Sequence, residues 1–276
     1  MNSIEIIKNK SKETWGSSPA GTSFAKQYQK GTKEFFDTVL EKRFSYECDW
    51  LDDIVDFKSF KNKKVLEIGS GAGYDAYMFC KYDAHYTGID ITPDNPIIAS
   101  QHLGYYGYKP TFICADAEKI NFHEEFDYVY SFGVLHHTPD IEKALKNSYH
   151  ALKRGGEAQI ILYHKHSFFY WFSIILTEWL IKKNYKKRTL AEQRSLIEYT
   201  ESNEKPLVNV YSKREFKKIM KNAGFKIEEI YIRKLVAEDL VTVRFLGKLA
   251  KKTPQSILSF IGKFFGWYIS IRAVKE

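Results

Sequence analysis

Glycines that follow an apolar run, acids that end the next runs, and histidines further along are the residues whose types and spacing could do chemistry. Val65-Leu66-Glu67-Ile68 leads directly into Gly69-Ser70-Gly71-Ala72-Gly73. Glycines at such a turn let the backbone pass close to a ligand and adopt φ values that other residues resist. A dinucleotide fingerprint would place its third glycine at position 74, which is Tyr74; here it comes one residue early, at Gly73. No G-K-[ST] follows, which excludes a phosphate-cradling P-loop. Asp90 ends the next apolar run, about 20 residues beyond the loop, where a carboxylate can accept hydrogen bonds from both hydroxyls of a ribose. Asp116 ends the third run. Ligands of open α/β sheets bind at the carboxyl ends of strands, so Glu67, Asp90 and Asp116 would aim three carboxylates at one crevice.

The histidines suggest proton transfer, since imidazole titrates near neutrality. His136 and His137 follow the fourth run, and Tyr163, His164 and His166 follow the fifth. His136, His137 and His164 are the candidate general bases; the alternative for the first two is a loop packed on the ligand. His136, His137 and Asp140 also invite a metal reading. Adjacent histidines diverge, however, and no third partner is spaced to close a site, so no metal is expected.

The elements that must position these residues are legible from texture. Val65–Ile68, Tyr86–Ile89, Thr111–Cys114, Phe126–Tyr130 and Glu157–Leu162 read as strands, and Tyr74–Lys81, Pro96–Leu103 and Ile141–Leu152 as the helices between them. That alternation implies parallel β-α-β units and a doubly wound sheet. A further helix is expected over Tyr211–Ala223, with Ser212 as N-cap, Glu215 completing a capping box and Gly224 as the stop. Two late strands follow, Lys226–Ile232 and Trp267–Val274. Residues 1–60 look helical and irregular; residues 61–276 carry the alternation, with insertions at about 164–208 and 236–266.

These features together resemble class I S-adenosylmethionine-dependent methyltransferases. The resemblance rests on the glycine run with Glu67, on Gly88-Ile89-Asp90, on Ala115-Asp116-Ala117, and on the stretch from Phe126 to His137. It covers about residues 60–165, and is nearest the small-molecule and lipid branch that includes the ubiquinone and menaquinone enzymes. It implies a mostly parallel seven-stranded sheet with helices on both faces, a Rossmann-like fold with a helical N-terminal lid. It further implies that Gly69, Ser70, Gly71 and Gly73 pack against the methionine and ribose portions of the cofactor, alongside Glu67. Asp90 would hold the ribose hydroxyls, Ile91 and Ala117 would lie near the adenine, and Asp116 would accept from its amino group. Ser131 and Phe132 would lie near the methionine carbons. Trp15-Gly16-Ser17-Ser18-Pro19-Ala20-Gly21 resembles a W-x-x-x-P-C-G lead of some bacterial members, with Ala20 in place of the cysteine. Trp15 and Tyr28 are assigned to the lid.

The acceptor is less constrained. The 276 residues carry a net charge of +8, which favours acidic partners in general. An amine-methylating [DN]-P-P-[YFW] motif is absent where Ser131-Phe132-Gly133-Val134 stands. Cys114 lies in a strand expected to be buried, and no RNA-binding motif is appended, so nucleic acid is disfavoured. Basic residues gather beside two apolar insertions: Lys182, Lys183, Lys186, Lys187 and Arg188 after Phe168–Ile181, and Lys248, Lys251, Lys252 and Lys263 around an apolar stripe from Ile257 to Phe265. Such an arrangement seats a helix at an anionic membrane surface; packing over the substrate cleft or in a dimer is the other reading. The longest apolar stretch, about 15 residues and interrupted by Glu178, is shorter than a membrane span. Three scattered cysteines and no signal peptide point to the cytoplasm. A small, glycan or lipid-like acceptor methylated at oxygen or carbon is the expectation, with an RNA methyltransferase and a non-catalytic S-adenosylmethionine-binding regulator as alternatives.

Overall fold

The computed structural model describes residues 3–17, 20–198, 205–240 and 244–276. Seven strands form one sheet in the order β3-β2-β1-β4-β5-β7-β6. They are β1 (Lys64–Ile68), β2 (His85–Asp90), β3 (Thr111–Cys114), β4 (Phe126–Phe132), β5 (Leu152–Tyr163), β6 (Lys226–Arg233) and β7 (Tyr268–Val274). The first five run parallel, and β7 is antiparallel to both β5 and β6. The doubly wound, mostly parallel, seven-stranded fold expected from the sequence is therefore present. Strand order reverses between β1 and β4, so a crevice opens at their carboxyl ends.

Local sequence explains the elements that border this crevice. The β1 residues Val65, Leu66 and Ile68 are buried, as a central parallel strand requires. The chain then turns through Gly69, Gly71 and Gly73, all at positive φ, into helix α3 (Tyr74–Lys81). The amides of Gly69 and Ser70 both donate to the Ile89 carbonyl on β2, at 2.7 and 3.0 Å. Past β4, helix α5 (Ile141–Ala151) begins at Asp140, whose carboxylate accepts from the Lys143 amide. The Ser212–Glu215 capping box is present, opening α7 (Lys213–Asn222).

The N-terminal segment packs against the loop rather than beside it. Helix α1 (Ser3–Ser17) lines the crevice with Lys8, Ser11 and Trp15, and α2 (Lys33–Lys42) buries Phe35, Phe36 and Val39 in a cluster with Ala72 and Tyr74. Phe36 stacks on His102 of α4 (Asn95–Gly104), with ring centroids 4.4 Å apart.

One expectation needs correction. Cys114 is exposed, because β3 is an edge strand and has no neighbour to cover it. The stripe from Ile257 to Phe265 is mostly open to solvent. In α9 (Gln255–Phe265) only Leu258 and Gly262 are buried, against β6 and the Leu235 backbone, while Phe260 and Phe264 are 61% and 58% exposed. The apolar insertion Phe169–Ile181 forms a π-helical segment, and Phe168 just before it stacks on Phe265 at 4.5 Å. Among the described residues no helix is long and apolar enough to cross a membrane.

Gly69→Ala tests the loop. A Cβ at Gly69, where φ is +80°, would come within 2.2 Å of a Val134 methyl, whereas one at Gly71 meets nothing within 4 Å. Denaturant unfolding is expected to show Gly69→Ala less stable by roughly 1–3 kcal/mol and Gly71→Ala by clearly less.

Candidate active site

The crevice at the ends of β1, β2 and β4 is a cavity lined by the glycine loop, by acids from three strands and by residues of α1. It brings together Glu67, Gly69, Ser70, Gly71, Asp90, Ile91, Asp116, Ala117 and Phe132 from the sequence-derived set. It does not take in Gly73 or Ser131. Gly73 is the positive-φ cap of α3, and a Cβ there would meet Leu103 of α4 at 2.9 Å, so its role is close packing of two helices. Ser131 is fully buried and donates to the Ile68 carbonyl at 2.9 Å, a link between β4 and β1.

Each acid in the cavity already has a task. Asp90 accepts from the Gly71 amide at 2.9 Å and from the Thr92 amide at 2.8 Å. Burial raises its pKa, and these hydrogen bonds oppose that rise. Glu67 accepts from the Tyr86 hydroxyl at 2.5 Å, and burial, reinforced by Asp75, holds its carboxyl well above the usual carboxylate range. Asp116 accepts from the Glu118 amide at 3.0 Å and from Lys8 at 2.7 Å. Lys8 also reaches Glu118 at 2.5 Å, so α1 is tied across the end of β3 by one ammonium and two carboxylates.

Lys8 and Arg43 were not singled out in the sequence, because each arrives from an element remote from the loop. Arg43 meets Asp75 of α3 in a bidentate pair, at 2.6 and 2.7 Å, and its guanidinium lies 5.0 Å from the Phe132 ring centre. The Tyr130 hydroxyl donates to the same Asp75 at 3.0 Å. Of the two residues assigned to a lid, Trp15 lines the cavity and packs 5.4 Å from the His137 ring; Tyr28 is exposed and does not line it. Ser18 and Pro19 of the same stretch lie outside the described residues.

A second chamber adjoins the first and shares Trp15, Ala20, Arg43, Phe132 and Gly133 with it. Its far wall consists of Tyr163, Tyr268, Glu47 and Glu198. Tyr163 donates its hydroxyl to Glu198 at 2.7 Å. His137 lies between the chambers, with Nδ1 2.6 Å from the Leu207 carbonyl and Nε2 3.6 Å from Glu198. Burial lowers the pKa of both His136 and His137. His136 lines neither chamber, and its ring lies against Tyr163 with centroids 3.8 Å apart. His164 also lines neither chamber; its Nδ1 is 3.1 Å from the Gly266 carbonyl.

The cavity suits a ligand with several polar groups. Ser70 Oγ, Tyr74 Oη and Asn95 Oδ1 belong to its lining residues, are buried, and have no hydrogen-bond partner. A family model described as a methyltransferase domain matches residues 39–230. The chain belongs to this methyltransferase family. It is 30% identical over 125 residues to a ubiquinone biosynthesis O-methyltransferase of Pelagibacter ubique, a match covering 45% of this chain and 52% of that protein. The chain thus spans about half the length of such relatives. Among solved structures, an S-adenosylmethionine-dependent methyltransferase from Mesorhizobium loti aligns with a TM-score of 0.55 at 14% identity, over 87% of this chain and all of that one. A [4+2]-cyclase, SpnF, aligns as well, with a TM-score of 0.55 at 13% identity over 87% of this chain and 82% of its own. Likeness at that level is likeness of fold.

In this class I methyltransferase the cofactor is S-adenosylmethionine, and the lining fits it: glycines for close approach, carboxylates for hydroxyl and amino groups, and unpartnered hydroxyl and amide oxygens.

His164 gives the fold a measurable pH signature. Burial pushes its pKa down to about 4, whereas in the unfolded chain it titrates near about 6.5. Folding therefore expels a proton between these values, and the stability present above pH 6.5 is lost as pH falls toward 4. Between pH 7 and pH 5 the wild type should lose about 2 kcal/mol more unfolding free energy than His164→Asn; equal losses would assign the effect to other groups.

Proposed function

We propose that the chain transfers a methyl group from S-adenosylmethionine to a small-molecule, glycan or lipid-like acceptor, at oxygen or carbon. The observation that carries this reading is the pair of adjoining chambers meeting at Phe132 and Gly133. One presents the glycine loop and strand-end acids, and the other presents aromatic walls with two carboxylates. S-adenosylmethionine supplies a methyl made electrophilic by its sulfonium.

The protein's own task is to align the acceptor and exclude water. Asp90 would orient the nucleoside against the glycine loop, and Asp116 would meet the adenine edge beside Lys8. Residues 1–60 would act as a lid, with Trp15 and Arg43 among the side chains common to both chambers. Of the three histidines, His137 is best placed to accept a proton from an acceptor hydroxyl, since its ring alone borders the cofactor cavity. Glu47 and Glu198 in the acceptor chamber favour a small acceptor over a polyanion such as RNA.

A lipid-like acceptor is supported by the exposed Phe260 and Phe264 with Lys263 between them and Lys248, Lys251 and Lys252 nearby. We place the protein in the cytoplasm, in contact with an anionic membrane surface; its three free thiols support a reducing compartment. Sedimentation with phosphatidylserine-containing vesicles is expected to carry the protein down and to weaken when Phe260 and Phe264 are both replaced by Ser. A protein that stays in the supernatant contradicts the membrane part.

For the cofactor, titration calorimetry of Asp90→Ala is expected to show S-adenosylmethionine bound at least about tenfold more weakly than by the wild type. Equal binding would remove Asp90 from the site.

A further inference from the structure

Three atoms with lone pairs converge beside the acceptor chamber. His136 is fully buried, and neither of its ring nitrogens has a hydrogen-bond partner. His137 is 7% exposed, and its Nδ1 contact with the Leu207 carbonyl fixes the proton on that nitrogen. Its Nε2 is then a lone pair, unpartnered, 3.6 Å from the Glu198 carboxylate. One ligating atom from each of His136, His137 and Glu198 lies within 4.8 Å of the other two. Apart from the Tyr163 hydroxyl on Glu198, no hydrogen bond among the described residues joins these groups, and a cation among the two imidazole nitrogens and the carboxylate oxygen would offset the repulsion of their lone pairs.

We propose that His136, His137 and Glu198 form a binding site for one divalent transition-metal ion of the zinc, iron or cobalt class. Two imidazoles with one carboxylate are the donor set of such ions, whereas magnesium and calcium take oxygen donors. Bonds of about 2.0–2.2 Å in a tetrahedral arrangement place ligand atoms ~3.4 Å apart, and the His137–Glu198 separation is already close to that. Outer partners hold two of the donors as metal sites require: the Leu207 carbonyl receives the His137 Nδ1–H, and the Tyr163 hydroxyl donates to Glu198. The sequence alone argued against a metal because no third ligand is spaced near the two histidines. Glu198 reaches them from the insertion after β5, a connection that spacing does not encode.

Three protein donors leave a coordination position open, and Glu198 and Tyr163 place it on the acceptor chamber. This use of the site rests on the methyltransferase reading above. An acceptor hydroxyl bound there would lose its proton to solvent more readily. Its oxygen–carbon bond would form as the methyl–sulfur bond breaks, with that electron pair passing to sulfur. Proton withdrawal would then fall to the ion, with His137 acting as its ligand.

The test uses the full chain, stripped with a chelator and titrated with Co²⁺ under visible absorption. The proposal requires saturable binding of one equivalent, with the intense d–d bands of a four- or five-coordinate ion. Binding should weaken at least tenfold in Glu198→Gln and in His136→Asn, each verified as folded by circular dichroism. Absence of saturable Co²⁺ binding by folded wild type, or undiminished binding in both variants, overturns it. Calorimetry with S-adenosylmethionine on the same samples separates the two claims. Cofactor binding without Co²⁺ binding removes the metal site alone, and Co²⁺ binding without cofactor binding removes the methyltransferase reading alone.

Discussion

A single buried carboxylate holds the shape of the cofactor cavity. Asp90, at the end of β2, takes the Gly71 amide on one oxygen and the Thr92 amide on the other. The loop after β1 is thereby fixed to the end of the neighbouring strand, together with the two amides that donate to Ile89. Three glycines at positive φ make that path available to the backbone, but they do not by themselves choose it. A carboxylate buried without such donors would be costly. With them it is a preorganised acceptor whose position is set before any ligand arrives.

The rest of the site is built onto this frame by chain segments from far away. Helix α1 brings Lys8 to Asp116 and Glu118, and Trp15 to the wall between the chambers. Arg43 reaches in from the end of α2 to pair with Asp75 and cover Phe132. A buried pair of this kind stabilises little in net terms, yet removing one partner leaves an uncompensated charge and typically costs several kcal/mol. The N-terminal segment is thus coupled to the methyltransferase core through charges that are expensive to separate.

What the sequence made legible follows from how local each signal is. A strand running into glycines, an acid about 20 residues later and a capping box at Ser212 each depend on neighbours in the chain, and the structure has them in place. Gly73 and Ser131 show the limit of that logic. Gly73, at φ 79°, is left-handed as Gly71 is at φ 50°, and it is the approach of Leu103 that distinguishes packing from ligand contact. Ser131 stands at a strand end like its neighbour Phe132, but its hydroxyl is spent on the Ile68 carbonyl. Lys8, Arg43 and Glu198 left no local trace, since nothing near them in the chain records the acid or imidazole they meet. The α9 stripe is regular in its apolar spacing, but spacing does not record which part is covered: only the side carrying Leu258 and Gly262 is buried within the fold.

The central proposal is that the loop from Gly69 to Gly71 and the acid at Asp90 hold S-adenosylmethionine. A crystal structure of the full chain grown with S-adenosylhomocysteine tests it most directly. The account predicts density in the cavity at the ends of β1 and β2, with the ribose hydroxyls within hydrogen-bond distance of Asp90 and the sulfur facing Phe132 and the second chamber. A ligand bound elsewhere, or a ribose turned away from Asp90, would contradict it.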